Sequence, residues 1–154
     1  MAQKLSLDND FQATATIFGL ITDLPDYRLV FFLNQLLGLQ LCRTKDDKEL
    51  FHKAGKISFS EFHYYEPVSM LSWWLTANKN GLHYSHERDD FEIANIPLVH
   101  PFRTMNYFLW YEEDDLVEIN QQISTQLRKS PHIRAIQKID QTAHPQIQNL
   151  IAPY

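Results

Sequence analysis

The 154-residue sequence predicts an α+β fold, one domain with a mostly antiparallel sheet of about six strands and two helices packed on one face, in the order β-α-β-β-β-(β)-β-α-β. Three observations predict it. Two segments place apolar residues at helical spacing, strand-like segments between them are joined by turn signals, and three of those strands carry apolar and aromatic residues on both faces. The three are Lys56–Tyr65, Val68–Ala77 and Met105–Tyr111. A strand sends successive side chains to opposite faces, so a sheet with one wet face alternates apolar and polar. Here Phe59 and Tyr65 oppose Phe62 and Tyr64, the neighbours Trp73 and Trp74 must diverge, and Tyr107, Leu109 and Tyr111 oppose Phe108 and Trp110. Both faces therefore want cover.

The elements follow in order. Gln12–Ile21 is β-branched and small, a first strand. Asp23-Leu24-Pro25-Asp26 opens a helix with an acidic cap and an early proline. That helix runs from Pro25 to Leu37 with Leu29, Phe32, Leu33, Leu36 and Leu37 on one stripe, and Gly38 stands where a left-handed cap belongs. Leu39–Arg43 reads as a short strand and the charged Thr44–Gly55 as a loop. The first two aromatic strands form a hairpin around Glu66-Pro67, and Asn78–Gly81 is a second turn. Leu82–Tyr84 is a brief strand, and His86–Pro101 a long irregular loop. After Met105–Glu112, Asp115 and Glu118 form a capping box for a second helix with Leu116, Ile119, Ile123 and Leu127 inward. Pro131 ends it, His132–Ile139 is the last strand, residues 141–154 form an extended tail, and residues 1–9 are expected to be disordered. Two helices cover one sheet face. The other falls to the long loops, the tail or a second copy of the chain.

Composition narrows the function classes. A net charge of −5 argues against a general nucleic-acid or anionic-membrane surface. The single cysteine, Cys42, cannot form an internal disulfide, which favours a reducing compartment, and a buried structural role is expected for it. No secretory signal or membrane span is read from the sequence, so a cytoplasmic protein is expected.

Asp26-Tyr27-Arg28-Leu29, then Asn34, Gly38-Leu39 and Arg43, resembles the opening of the bacterial IPExxxVDY family. Ala77-Asn78-Lys79 resembles its pattern as well, and Met105-Asn106-Tyr107-Phe108-Leu109 resembles the Val-Asp-Tyr end of its signature. The name-giving part departs. Leu98 rather than glutamate follows Ile96-Pro97, Pro101 lies one residue too close to Met105, and Asn106 replaces the aspartate. The resemblance implies a small single-domain bacterial protein and supplies no activity.

Three groups of residues bear on function. His83 and His86, with His63 from a neighbouring strand, form a candidate metal site, although histidines three apart in a strand point oppositely and chelation would need a local turn. Asp26, Tyr27 and Arg28 form a candidate ligand contact at a helix N-terminus, where backbone amides attract anions. Trp73, Trp74 and Tyr107 form a candidate interface. No Gly-rich phosphate loop, Gly-x-Ser-x-Gly elbow or Cys-x-x-Cys is present, and Phe59 and Phe62 lack the spacing of an RNA-stacking strand. The sequence thus reads as a non-enzymatic binding or assembly module without cofactor, catalytic residue, nucleic-acid or membrane partner, self-associating as a homodimer through an aromatic sheet face. The alternatives are a small-ligand-sensing regulatory domain and a metal-dependent enzyme using the histidines.

Overall fold

Two antiparallel sheets organise residues 14–53, 55–113 and 116–151, which the computed structural model describes. The larger sheet has six strands: β1 (Thr16–Thr22), β2 (Cys42–Arg43), β5 (Glu61–Glu66), β6 (Leu71–Ala77), β9 (Tyr107–Tyr111) and β10 (Ile133–Ile139), in the spatial order β10-β1-β9-β6-β5-β2. The smaller has four: β3 (Lys48–His52), β4 (Gly55–Phe59), β7 (Leu82–Ser85) and β8 (Asp90–Ile93), in the order β3-β4-β7-β8. Helices α1 (Asp26–Leu37) and α2 (Val117–Lys129) cover one face of the larger sheet, as the α+β reading required. Their buried residues Leu29, Val30, Leu33, Ile123 and Leu127 pack on Phe18, Leu20, Leu75 and Leu109.

Local chemistry accounts for the end of α1, whereas its start differs from the expected acidic cap: the chain enters from an extended Pro25 with no side-chain cap. Gly38 is left-handed, with φ 67°, and releases the chain from α1. Asn34 then holds the returning segment by exchanging two hydrogen bonds with the Leu41 backbone, at 2.9 and 3.2 Å. The spacing of Asn34 and Gly38 is therefore one device for reversing the chain. Asp115 of the expected capping box lies outside the described residues, and α2 is entered from an extended Leu116.

The second face of the larger sheet is closed by the chain itself. Ile57 and Phe59 of β4, Leu98, Val99, Phe102 and Met105 from the segment before β9, and Ile147, Leu150 and Ile151 near the C-terminal end pack against Ile17, Phe108, Trp110 and Ile139. This corrects three expectations. Thr44–Gly55 contains β3, because pairing with β4 turns Leu50 toward this core despite the flanking charges. His86–Pro101 contains β8 and opens a 3-10 turn at His100–Phe102. The described part of the tail is not extended: it forms a 3-10 turn at Pro145–Ile147 and the short helix α3 (Gln148–Ile151), and Ile147, Leu150 and Ile151 are buried. Cys42 is exposed rather than buried, because β2 is the edge strand of its sheet.

The double-faced pattern of Lys56–Tyr65 has a simple origin. The segment is not one strand: β4 belongs to the smaller sheet, β5 to the larger, and the chain crosses at Ser60, whose carbonyl accepts the Ala77 amide at 2.9 Å. The smaller sheet presses closely on the turn after β6. A methyl group at Gly81 would lie 2.5 Å from Ile57 Cγ2 and 2.8 Å from the Phe59 ring. Gly81→Ala is expected to cost about 1–3 kcal/mol in chemical denaturation, and wild-type stability would refute this packing.

Candidate functional site

The end of β6 positions a cleft of about 500 Å³. Asn78 makes the cleft's frame. It is fully buried, and its side-chain amide donates to the carbonyls of Phe102 and Met105 at 2.9 and 3.0 Å while its Oδ1 accepts the Val99 amide at 2.8 Å. Its backbone donates to Asn106 and accepts from Leu98. One residue thus ties residues 98–106 to the sheet end. Lys79 follows directly and projects beside Asn80 into the space between that segment and β3.

The opposite wall is built by the 3-10 turn. His100 and Arg103 stand three residues apart, and the Arg103 amide donates to the His100 carbonyl at 3.1 Å. In such a turn residues i and i+3 eclipse, so both side chains reach the same cleft. His52, from the end of β3, completes the lining with residues 94–97. Four basic side chains therefore converge with no aspartate or glutamate among the lining residues, in a chain whose net charge is −5. Among the described residues neither Lys79 nor Arg103 has an ion-pair partner. A concave surface of one sign focuses field and attracts counter-ions. The fork of Arg103 matches a carboxylate or phosphate.

A second cleft of about 340 Å³ shares Lys79 and Asn80 and is otherwise lined by Thr22, Asp23, Leu24, Pro25, Asn106 and Tyr107. Its framework is also bonded: Asn106 Oδ1 accepts the Thr22 amide at 3.0 Å, and the Tyr107 hydroxyl donates to the Leu24 carbonyl at 3.2 Å. Burial, reinforced by the negative charge of Asp26, pushes the Tyr107 pKa up to about 12, so its hydroxyl stays protonated throughout the neutral range.

The residues proposed from sequence are placed differently. Asp26 turns its carboxylate onto the neighbouring Tyr27 amide at 2.6 Å, and Tyr27 and Arg28 line a shallow depression with Phe31 and Phe32 outside both clefts. Trp73, only 6% exposed, is covered by its own chain's first core against Tyr111. Trp74 points to the other face, stacks between His63 and Trp110 at centroid distances of 4.1 and 5.4 Å, and donates to Glu112 at 3.0 Å. Tyr107 is half-buried at the second cleft.

The three histidines are not brought together. His63 sits in the larger sheet against Trp74, where burial lowers its pKa against the pull of Glu112. His83 lies on β7 near the Lys56 carbonyl, and His86 stands edge-on to Tyr84. Among the described residues no group of three or more His, Cys, Asp or Glu side chains converges to hold a metal ion. Sequence reasoning missed His52, His100 and Arg103, and noted Asn80 only within a turn. It noted Lys79 only within a turn and a family pattern. The one local signal was the three-residue spacing of His100 and Arg103.

Among the described residues no helix is long and apolar enough to cross a membrane. In comparison with known proteins, no family model matches the chain and no curated protein matches it.

Proposed function

We propose that the protein is a non-enzymatic binding module that takes a small molecule carrying carboxylate or phosphate groups in the basic cleft beside Lys79. The observation that carries this reading is the convergence of His52, Lys79, His100 and Arg103 on a cleft of about 500 Å³ lined by no acid. That volume falls in the range of small-molecule sites. The lining offers cations and amide groups that hold charge. It contains neither a carboxylate nor a hydroxyl or thiol nucleophile, which favours recognition over turnover. The resemblance to the IPExxxVDY family adds no activity, so the reading rests on the cleft. A cytoplasmic setting, where carboxylated and phosphorylated metabolites are plentiful, suits it.

The test is a thermal-shift and calorimetric screen with inorganic phosphate, sugar phosphates, nucleoside monophosphates and di- and tricarboxylates, beside neutral analogues. At least one anionic compound is expected to raise the melting temperature. Lys79→Ala and Arg103→Ala should each weaken its binding by roughly 10- to 100-fold, the loss of one charge-assisted hydrogen bond. No stabilisation by any anion, or undiminished binding in the double variant, would sink the reading.

A further inference from the structure

The outer face of the smaller sheet carries its own signal. Cross-strand register places Phe51 beside Lys56 and Tyr84 beside Phe91 in one row, and Glu49, Ser58, Leu82 and Ile93 in the next, all on the side facing away from the core. Phe51, Phe91 and Ile93 are 79%, 63% and 62% exposed. We infer that this face is a homodimer interface on which a second copy of the chain packs about a two-fold axis.

Area and charge both favour a second copy. The apolar side chains present on the order of 400 Å², judged from the surface such residues carry. That is toward the upper end of what a monomer exposes in one patch. A standard interface needs about 800 Å² from each partner, a little over half of it apolar. The patch supplies the apolar share, and the ion pair Lys56–Glu49 (3.1 Å) on the same face adds a polar margin. The pattern is self-complementary. A two-fold axis lying in the face across the strands exchanges the two rows. Tyr84 and Phe91 of one copy then cover Leu82 and Ile93 of the other. The same operation brings Lys56 within one strand spacing of Glu49 of the second copy. On the β7–β8 half every apolar residue meets an apolar one; on the β3–β4 half Phe51 lies over Glu49 and Lys56 over Ser58 of the second copy, with that copy's Glu49 on the next strand to Lys56.

Sedimentation velocity from about 10 to 500 µM tests this, with circular dichroism to confirm the fold of each variant. The wild type is expected to sediment at twice the chain mass at the upper end of that range. Phe91→Glu should weaken association at least tenfold, as should Lys56→Glu, which sets like charges against each other. The exchange Glu49→Lys with Lys56→Glu should restore it. A wild type that stays monomeric at 500 µM would overturn the inference, including by leaving the face to a different protein. So would a Phe91→Glu variant that dimerises unchanged, or a charge exchange that rescues nothing.

Discussion

Asn78→Ala is expected to lower stability by about 3–5 kcal/mol, a loss visible as a fall of roughly 6–20 °C in melting temperature. The side chain is fully buried and spends both donors and its acceptor on the backbone of Phe102, Met105 and Val99. Removing it strands three backbone groups away from water, and each buried unsatisfied group costs about 1–3 kcal/mol. Asn78→Asp separates hydrogen bonding from volume. It keeps the acceptor for Val99 but turns an oxygen toward two carbonyls, so it should be at least as damaging as alanine. If Asn78→Asp were as stable as wild type, the frame would owe its stability to packing. The same variants should weaken anion binding, because His100 and Arg103 hang on the segment that Asn78 holds.

Glu61→Ala is expected to cost a similar amount, about 3–5 kcal/mol, because it leaves a buried cation without its compensating charge. Glu61 is 3% exposed where the chain passes from one sheet to the other, and Lys48 on β3 is buried with it. The Thr76 hydroxyl donates to Glu61 Oε2 at 2.8 Å and in turn accepts the Trp110 indole N–H at 3.1 Å. Burial raises the Glu61 pKa above its ordinary 4.5, against the lowering pull of Thr76 and Lys48. Burial likewise lowers Lys48, against the pull of Glu61. Between the unfolded and the folded value the folded state therefore holds a proton on Glu61 that the unfolded chain has given up. Above the folded value the carboxylate is charged and offsets Lys48. The proton's contribution to stability is fully present below pH 4.5 and is lost as pH rises through the folded value. Denaturation at a series of pH values should show wild type losing stability relative to Glu61→Gln as pH climbs above 4.5. A difference that is flat, or that grows with pH, would contradict the assignment. Replacing both partners by apolar residues, as in Lys48→Met with Glu61→Leu, should be far milder than Glu61→Ala.

Much of the fold was legible because it is written in local periodicity. The stripe of Leu29, Leu33 and Leu36 marks α1, Gly38 marks its end, and Ile123 and Leu127 mark α2. The need for cover on both faces of the aromatic strands was equally legible. Its source was not. Alternation along Lys56–Tyr65 does not reveal that the chain changes sheets at Ser60, because pairing partners lie far away in sequence: Ile57 pairs with His83, whereas Phe62 pairs with Leu75. The tail looked extended because Pro145 breaks regular spacing. Burial of Ile147, Leu150 and Ile151 against the second core overrides that local signal.

The candidate site lies at the far end of this scale. Lys79, His100, Arg103 and His52 come from three separate segments, and none sits in a chemical motif. Asn78 brings two of those segments together through hydrogen bonds spanning more than twenty residues. The sequence by itself determined the helices, the glycine cap that ends α1, the antiparallel class and the demand for cover on both sheet faces, since each follows from side-chain pattern within one segment. Only the tertiary structure decided which parts of the chain supply that cover and where the basic side chains meet. Those outcomes depend on which distant backbones pair, and short-range spacing carries no record of that.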